Sequence, residues 1–384
     1  GGPTIYRRAS VSTGIAGDSP DVWLPTSATL ATPDHAIDLI RFTKTLAKID
    51  SNSALTTSQV EIDFLPVSSD RGDLIFYIDG VRTVRYSPRS PCYLPLADIV
   101  PPEFDYCALR ALFGEIAPRA EFLELLDWVS TDSLAMLLRD QFSNGNTARH
   151  ISRNSSIVDK MDSFLRQGTL AIGSALHYQS FFLVPKSDGL HSRLIQDCRE
   201  LNDMIHDVVS QPAMPLPEIR DAIRRILSWP CVWTSDASSM FYQFPVHPEL
   251  SRWLGGFVGG KRGSFSSVML KVLPMGITIA PAFAQHVSNF LCELTVKRAK
   301  QNGIDMDALT WVDNFILLTN SLRDQQAVAR IFLDVCRYVG LKMKPPLTGP
   351  EITLLGLDFD LLSKTAKPSG TSLKLFERAF ADMM

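Results

Sequence analysis

Two apolar runs in this chain each carry an aspartate where the run ends, and that pairing constrains the fold more than any other feature. One reads Trp233-Thr-Ser-Asp236-Ala237-Ser-Ser-Met240-Phe241, and the other reads Leu309-Thr-Trp311-Val-Asp313-Asn314-Phe-Ile-Leu-Leu318. The ordinary reading of a lone aspartate is a solvated turn residue or a helix cap. Two of them, each in its own strand-like context, point instead to carboxylates carried by separate strands. Hard ions such as Mg²⁺ take oxygen ligands of this kind. Two such ions about 3.5–4 Å apart stabilise both the attacking and the leaving oxygen of an in-line displacement.

The length of 384 residues allows two or three domains. No uninterrupted apolar run approaches the ~20 residues that span a bilayer, and the start, Gly-Gly-Pro-Thr-Ile-Tyr-Arg-Arg, lacks the apolar core of a signal peptide. Six cysteines (Cys92, Cys107, Cys198, Cys231, Cys292 and Cys336) are scattered, with no CxxC pair. That pattern argues against a zinc ribbon or a dense disulfide framework and fits a reducing intracellular compartment, cytoplasm or nucleus, with no membrane partner. Charge is asymmetric: 13 Lys and Arg stand against 19 Asp and Glu before residue 151, and 25 against 22 from there on. The basic excess of the second part is compatible with phosphate-backbone contacts, and the asymmetry itself suggests a domain boundary.

Three regions follow. Residues 1–35 are rich in Ser, Thr, Ala, Gly, Pro and Asp and read as irregular chain. Residues 36–150 read as a small acidic α+β domain of unknown role: helical spacing over Ile37–Ile49, alternation at Val60, Ile62 and Phe64, a hairpin about Asp79-Gly80, and helical patterns near 103–113, 119–128 and 131–142. A polar stretch, 143–156, separates it from residues 151–384, which open with a helix over Ile157–Gln167 stopped by Gly168.

The second part carries a series of motifs. Phe181-Phe-Leu-Val-Pro-Lys186-Ser-Asp-Gly-Leu-His-Ser-Arg193-Leu-Ile-Gln-Asp197-Cys-Arg199-Glu-Leu-Asn202 places two apolar strands about a Ser-Asp-Gly turn. The Asp236 run continues to Phe241, five residues on. Leu273-Pro-Met275-Gly276-Ile-Thr-Ile-Ala-Pro281-Ala-Phe-Ala-Gln285 joins a glycine suited to close backbone approach to a proline suited to a first helical turn. Phe283, Val287, Phe290 and Leu294 then recur on one helical face. Gly340-Leu-Lys-Met-Lys344 and Leu354-Leu355-Gly356-Leu-Asp-Phe follow.

Taken together over roughly residues 157–360, these motifs resemble the fingers hairpin, motifs A to D and primer grip of reverse transcriptases. The resemblance implies an α+β right-hand polymerase, with fingers and an antiparallel palm sheet backed by helices, and with the thumb largely absent. It implies Asp236, Asp313 and Asn314 as the catalytic set, with Asp236, Asp313 and the carbonyl of Ala237 on two Mg²⁺ ions, for which Mn²⁺ can substitute. Lys186 and Arg193 would grip the triphosphate, Phe241 would act as steric gate, and Met275 and Gly276 would line the nucleotide pocket. Leu355 and Gly356 would form the primer grip, and Lys344 is a candidate proton donor to the leaving pyrophosphate. The family pattern in motif C is Tyr-x-Asp-Asp, so Trp311 and Asn314 depart from it. The Trp-Val-Asp-Asn form with Pro-Met-Gly resembles DIRS-type tyrosine-recombinase retrotransposons.

The implied activity is RNA-directed DNA polymerisation by a retroelement enzyme acting on an RNA template, a DNA or RNA primer and dNTPs. Two alternatives stand beside it. One is a domesticated, catalytically silent relic that binds RNA as a scaffold, favoured by Asn314 and the acidic first part. The other is an RNA-dependent RNA polymerase, which Phe241 and the fingers signature oppose. The oligomeric state is left open.

Overall fold

The computed structural model describes residues 96–97, 99–142, 151–152, 155–186, 191–259, 265–370 and 372, together with five short strands between residues 6 and 86. The chain divides into two compact units, Gly1–Pro91 with Ala381–Met384, and Cys92–Phe380. In the first, β1 (Tyr6–Ala9) pairs antiparallel with β2 (Val22–Pro25), inside the stretch expected to be irregular. The reason is visible in Val22-Trp23-Leu24, a short β-prone run that the polar composition around it outweighs. Strands β3 (Asp63–Leu65), β4 (Leu74–Ile78) and β5 (Arg82–Tyr86) form an antiparallel meander. The Asp79-Gly80 turn and the helix expected over 37–49 lie outside the described residues.

The second unit opens with helices α1 (Tyr106–Ala111), α2 (Ala120–Ser130) and α3 (Ser133–Gln141). A two-residue strand β6 (Ile151–Ser152) precedes α4 (Ser155–Arg166). Gly168, at φ 76°, stops α4 with Thr169 N–H donating back to Phe164, as its left-handed conformation requires. Strand β7 (Leu170–Ile172) is followed by a hairpin of β8 (Phe181–Pro185) and β9 (Ser192–Gln196), registered from Phe181 opposite Gln196 to Pro185 opposite Ser192. The Ser-Asp-Gly turn between them lies outside the described residues. Next come α5 (Arg199–Val208), α6 (Ile219–Ser228) and β10 (Cys231–Asp236), then β11 (Gly255–Gly259) and β12 (Phe265–Leu270), which join β6 and β7 in one sheet. The long helix α7 (Ile279–Gln301) leads to β13 (Met306–Trp311), β14 (Asn314–Thr319) and α8 (Leu322–Tyr338). The chain then forms β15 (Leu347–Thr348) and an antiparallel sheet of β16 (Glu351–Leu354), β17 (Leu357–Asp360) and β18 (Thr365–Pro368).

The central sheet has the order β13-β14-β10-β15 and is antiparallel throughout. Period-two alternation sends Trp233, Phe315 and Leu317 to one face, against Phe332 and Val335 of α8, and Val232, Ile316, Leu318 and Leu309 to the other. That second face is covered by Ala222 and Ile226 of α6 and by Ile352, Leu354 and Phe359 of the last sheet. Both faces are therefore dry, which is why β14 reads as an unbroken apolar run. Phe315 and Phe332 meet at 5.0 Å between ring centres, and each buried phenylalanine is worth about 1.5–3 kcal/mol. An antiparallel sheet backed by helices is present as expected.

Two packing relations go beyond what was expected. Phe283, Val287, Phe290 and Leu294 are buried, but α7 is enclosed on more than one face, with Ala280, Gln285 and Ser288 also fully buried. The covering side comes from α2: Phe122 packs against Phe283 and Phe290 and stacks on His286 at 5.9 Å. Arg298 near the end of α7 pairs with Glu115 at 2.6 Å. Helices α1 to α3 thus share one core with the sheet, and the compact unit begins at Cys92 where a boundary near residue 150 was expected. Among the described residues, no helix is long and apolar enough to cross a membrane.

Candidate active site

Strand β10 carries Asp236 to its last position, opposite Asn314 at the first position of β14. Trp311 pairs with Asn314, so Val312 and Asp313 form a two-residue turn between β13 and β14. Ala237 N–H donates to the carbonyl of Asp313 at 2.7 Å, tying the ends of the two acid-bearing segments together. Val312 sits at φ 56°, a conformation that a β-branched residue adopts only under constraint. The constraint comes from α7. Val312 N–H donates to Gln285 Oε1 at 2.6 Å, and Ser288 Oγ donates to the Val312 carbonyl at 2.6 Å.

Asp313 is half-buried, and burial pushes its carboxyl above the ordinary carboxylate range, with the charge of Asp236 adding to the shift. Lys344 and Arg193 act on it in the opposite sense. The Lys344 ammonium lies 2.7 Å from Asp236 Oδ2, and its backbone N–H donates to the Asp236 carbonyl at 2.8 Å. Ser235 Oγ returns a bond to the Lys344 carbonyl at 2.7 Å. Buried Gln243 fixes the same loop, accepting from Lys342 N–H at 2.7 Å and donating to the carbonyls of Ser238 and Lys342.

Beyond Asp236 the chain passes through Ser239, at φ 48°, into a single 3₁₀ turn, Met240–Gln243. Met240 and Tyr242 are buried on either side of half-buried Phe241, and the Tyr242 hydroxyl donates to the Leu194 carbonyl of the fingers strand. From the fingers, Lys186 N–H closes the hairpin on the His191 carbonyl at 2.7 Å. Gly276 has φ 121°, and a Cβ there would lie 2.2 Å from the Gln196 carbonyl oxygen, so only glycine fits. Asn202 of α5 donates to the Gly276 carbonyl at 2.9 Å and accepts from Thr278 N–H at 2.8 Å.

These segments enclose a cavity of about 390 Å³ lined by Lys186, Arg193, Ala237, Phe241, Met275, Asp313 and Lys344, among others. Asp236 reaches it through Lys344, and Gly276 supports the turn that presents Met275. Asn314 stands apart: its Oδ1 accepts from the hydroxyl of buried Thr234 at 3.0 Å. Leu355 and Gly356 form a two-residue turn between β16 and β17, with φ of 53° and 77°, away from the cavity lining. Gln285, Ser288, Gln243 and Tyr242 carry no expectation from sequence. The available signal is the placing of Gln285 and Ser288 among Phe283, Val287 and Phe290 on a helix, because polar groups in such a place need partners.

Among the described residues, no group of three or more His, Cys, Asp or Glu is placed to hold a metal ion. The donors present nevertheless suit Mg²⁺, which binds through one or two carboxylates with substrate phosphates and water completing its shell. Asp236 and Asp313 are two such carboxylates, close enough for the charge of one to raise the pKa of the other, and a cation between them relieves that repulsion.

Residues 184–346 match the family model described as reverse transcriptase (RNA-dependent DNA polymerase). Among solved structures, that of the foamy viral protease-reverse transcriptase dRH in complex with ds DNA is similar, at 16% sequence identity and a TM-score of 0.47, covering 83% of this chain and 58% of that chain. This chain therefore spans less than two thirds of that protein's length. No curated protein matches the chain.

Proposed function

We propose that this chain, which carries a reverse transcriptase domain of the nucleotidyltransferase class at residues 184–346, extends a primer 3′-hydroxyl with deoxynucleotides on an RNA template. The observation that carries the reading is the cavity. It gathers Lys186, Arg193, Phe241, Met275 and Asp313 from four separate segments of the chain. Phosphoryl transfer asks little covalent chemistry of a protein and depends on positioning and charge, which is what this group of side chains supplies.

Lys186 and Arg193 hold the triphosphate, the guanidinium through paired hydrogen bonds and the ammonium as a compact charge. Phe241 fills the space beside the sugar and leaves none for a 2′-hydroxyl. Two Mg²⁺ ions, or Mn²⁺ in their place, would be held by Asp236, Asp313 and the Ala237 carbonyl and would neutralise the charge that develops on the reacting oxygens. Lys344, whose ammonium lies on Asp236, would be the group that gives a proton to the leaving pyrophosphate. Leu355 and Gly356 form the turn that steadies the primer end. The cell compartment, taken as cytoplasm or nucleus, and the origin in a DIRS-type retrotransposon belong to the same reading.

Primer extension tests it, with RNA and DNA templates and with dNTPs or NTPs. Extension on RNA with dNTPs, lost in Asp236→Ala and Asp313→Ala variants that remain folded, is the expected result. RNA binding without extension on any template would replace this reading with that of a silent scaffold, and a preference for NTPs with that of an RNA polymerase.

A further inference from the structure

One wall of the cavity comes from outside the family-matching segment. Leu96, Ala97, Ile99 and Val100 line it together with Lys186, Arg193 and Phe241, although they precede every motif of the fingers and palm. Their placement is built. Ala97 N–H donates to the Ser192 carbonyl at 2.9 Å, and Leu96 forms a parallel bridge with Ser192, the residue before Arg193. Leu96 and Ile99 are only 3% and 5% exposed.

A few residues on, the same segment is fastened to the palm. Asp105 N–H donates to the Val339 carbonyl at 2.9 Å, and the Tyr106 hydroxyl donates to the Pro245 carbonyl at 2.7 Å. Phe104 packs edge-on against Phe244 at 4.8 Å, and Glu103 pairs with Lys342 at 2.7 Å, two residues from Lys344. Leu96, Ala97 and residues 99–106 therefore form a strap with one end on the strand that carries Arg193 and the other on Phe244 and Pro245, which follow the 3₁₀ turn after Asp236, and on Val339 and Lys342, which precede Lys344.

We propose that Leu96, Ala97, Ile99 and Val100 form a wall of the nucleotide pocket and help to set its affinity for the incoming deoxynucleoside triphosphate. The cavity already offers Lys186 and Arg193 to the charged end of that ligand. Leu96, Ala97, Ile99 and Val100 have no hydrogen-bonding side chain, so they meet the sugar or base by shape and exclusion of water. Leu96 and Ile99 are also buried members of the core and hold the strap; half-buried Val100 is the member best placed to be altered without disturbing that core.

The inference rests on the polymerase reading above, and its test separates the two. In the full chain, Val100→Trp takes up cavity space and Val100→Ser removes apolar contact. Steady-state extension is measured against dTTP concentration, and mant-dATP fluorescence titration on a primer–template complex reports binding without turnover. We expect KM for dTTP and the mant-dATP dissociation constant to rise on the order of tenfold for Val100→Trp and several-fold for Val100→Ser, with kcat and primer–template affinity within about twofold of the parent, the pattern of lost ground-state binding. A strap that only supports the fold would lower the melting temperature and leave KM in place. Unchanged KM and nucleotide affinity in both variants, with an active parent, overturns the inference alone. A parent that neither extends a primer nor binds mant-dATP overturns the polymerase reading, and this inference falls with it.

Discussion

Gln285 Oε1 accepts the backbone N–H of Val312 at 2.6 Å and holds that valine in the left-handed region immediately before Asp313. Such a conformation costs of order 1–3 kcal/mol and persists where its surroundings over-determine it. Gln285 is fully buried, and its Nε2 donates to Thr310 Oγ1 at 2.8 Å and to Asn289 Oδ1 at 2.9 Å. The position of one acidic residue is thus set by a neutral amide on a helix that crosses behind it.

Gln285→Leu removes that support and fills the same space with an apolar side chain of similar volume. Extension should fall by roughly 10²-fold in kcat, the usual cost of displacing a reacting group by about an ångström, and the melting temperature should drop as well. Adding Val312→Gly, which relieves the strained φ, should recover most of the melting temperature but not the rate. Single-turnover rates and thermal melts on the two variants decide this. A Gln285→Leu enzyme with parental kcat would show that the turn holds itself.

Burial, followed by the charge of Asp236, raises the pKa of Asp313 above the ordinary carboxylate value. A carboxyl whose folded pKa is raised favours folding while it is protonated, and its ionisation opposes folding once the pH passes that folded pKa. At neutral pH in EDTA, Asp313→Asn should therefore melt above the parent, although it cannot extend a primer. The difference should shrink as the pH falls towards about 3.9, the value of an unperturbed aspartate. Melting curves from pH 7.5 downwards test the sign, and an Asn variant less stable than the parent at pH 7.5 would contradict it.

Phe241 lies half-buried between buried Met240 and Tyr242 and faces the cavity. Phe241→Val vacates space without touching the bond from Tyr242 to the fingers. The ratio of NTP to dNTP incorporation should rise by about tenfold to a hundredfold, the range available from shape discrimination of a small group. An unchanged ratio would make Phe241 a packing residue and remove the main argument for a DNA product.

Thr234 donates to Asn314 at 3.0 Å, and a carboxylate in place of the amide can still accept that bond. Asn314→Asp should fold normally. It would set a third carboxylate opposite Asp236 in the strand register, adding like-charge repulsion that raises a neighbour's pKa. Extension should stay similar or fall, with a changed preference between Mg²⁺ and Mn²⁺. A silent parent brought to activity by this substitution would mean that Asn314 is a lesion.

The β8–β9 hairpin, the apolar runs about Asp236 and Asp313 and the helical patterns before residue 143 were legible because alternation and turn chemistry are local properties; that Lys186, Arg193, Phe241, Met275 and Asp313 share one cavity could be expected only from the resemblance. What α1 to α3 pack against was not legible. Their amphipathic pattern shows that one face is covered, but it does not name Phe283, His286 and Phe290 as the cover. For the same reason α7 read as a one-sided helix. Val312 could not be foreseen either, because propensity places a valine next to an aspartate in extended chain and only the buried amide of Gln285 turns it over. Leu96, Ala97, Ile99 and Val100 show no periodicity that would mark them as a cavity wall.

Asn202 uses its amide in both senses at once, giving a hydrogen to Gly276 and taking one from Thr278. No side chain of the same length replaces it: aspartate keeps only the acceptor, and leucine keeps neither. That leaves the position closed to drift for reasons unrelated to chemistry at phosphorus. It also means that any displacement of the Gly276 turn is passed to α5 through one planar group.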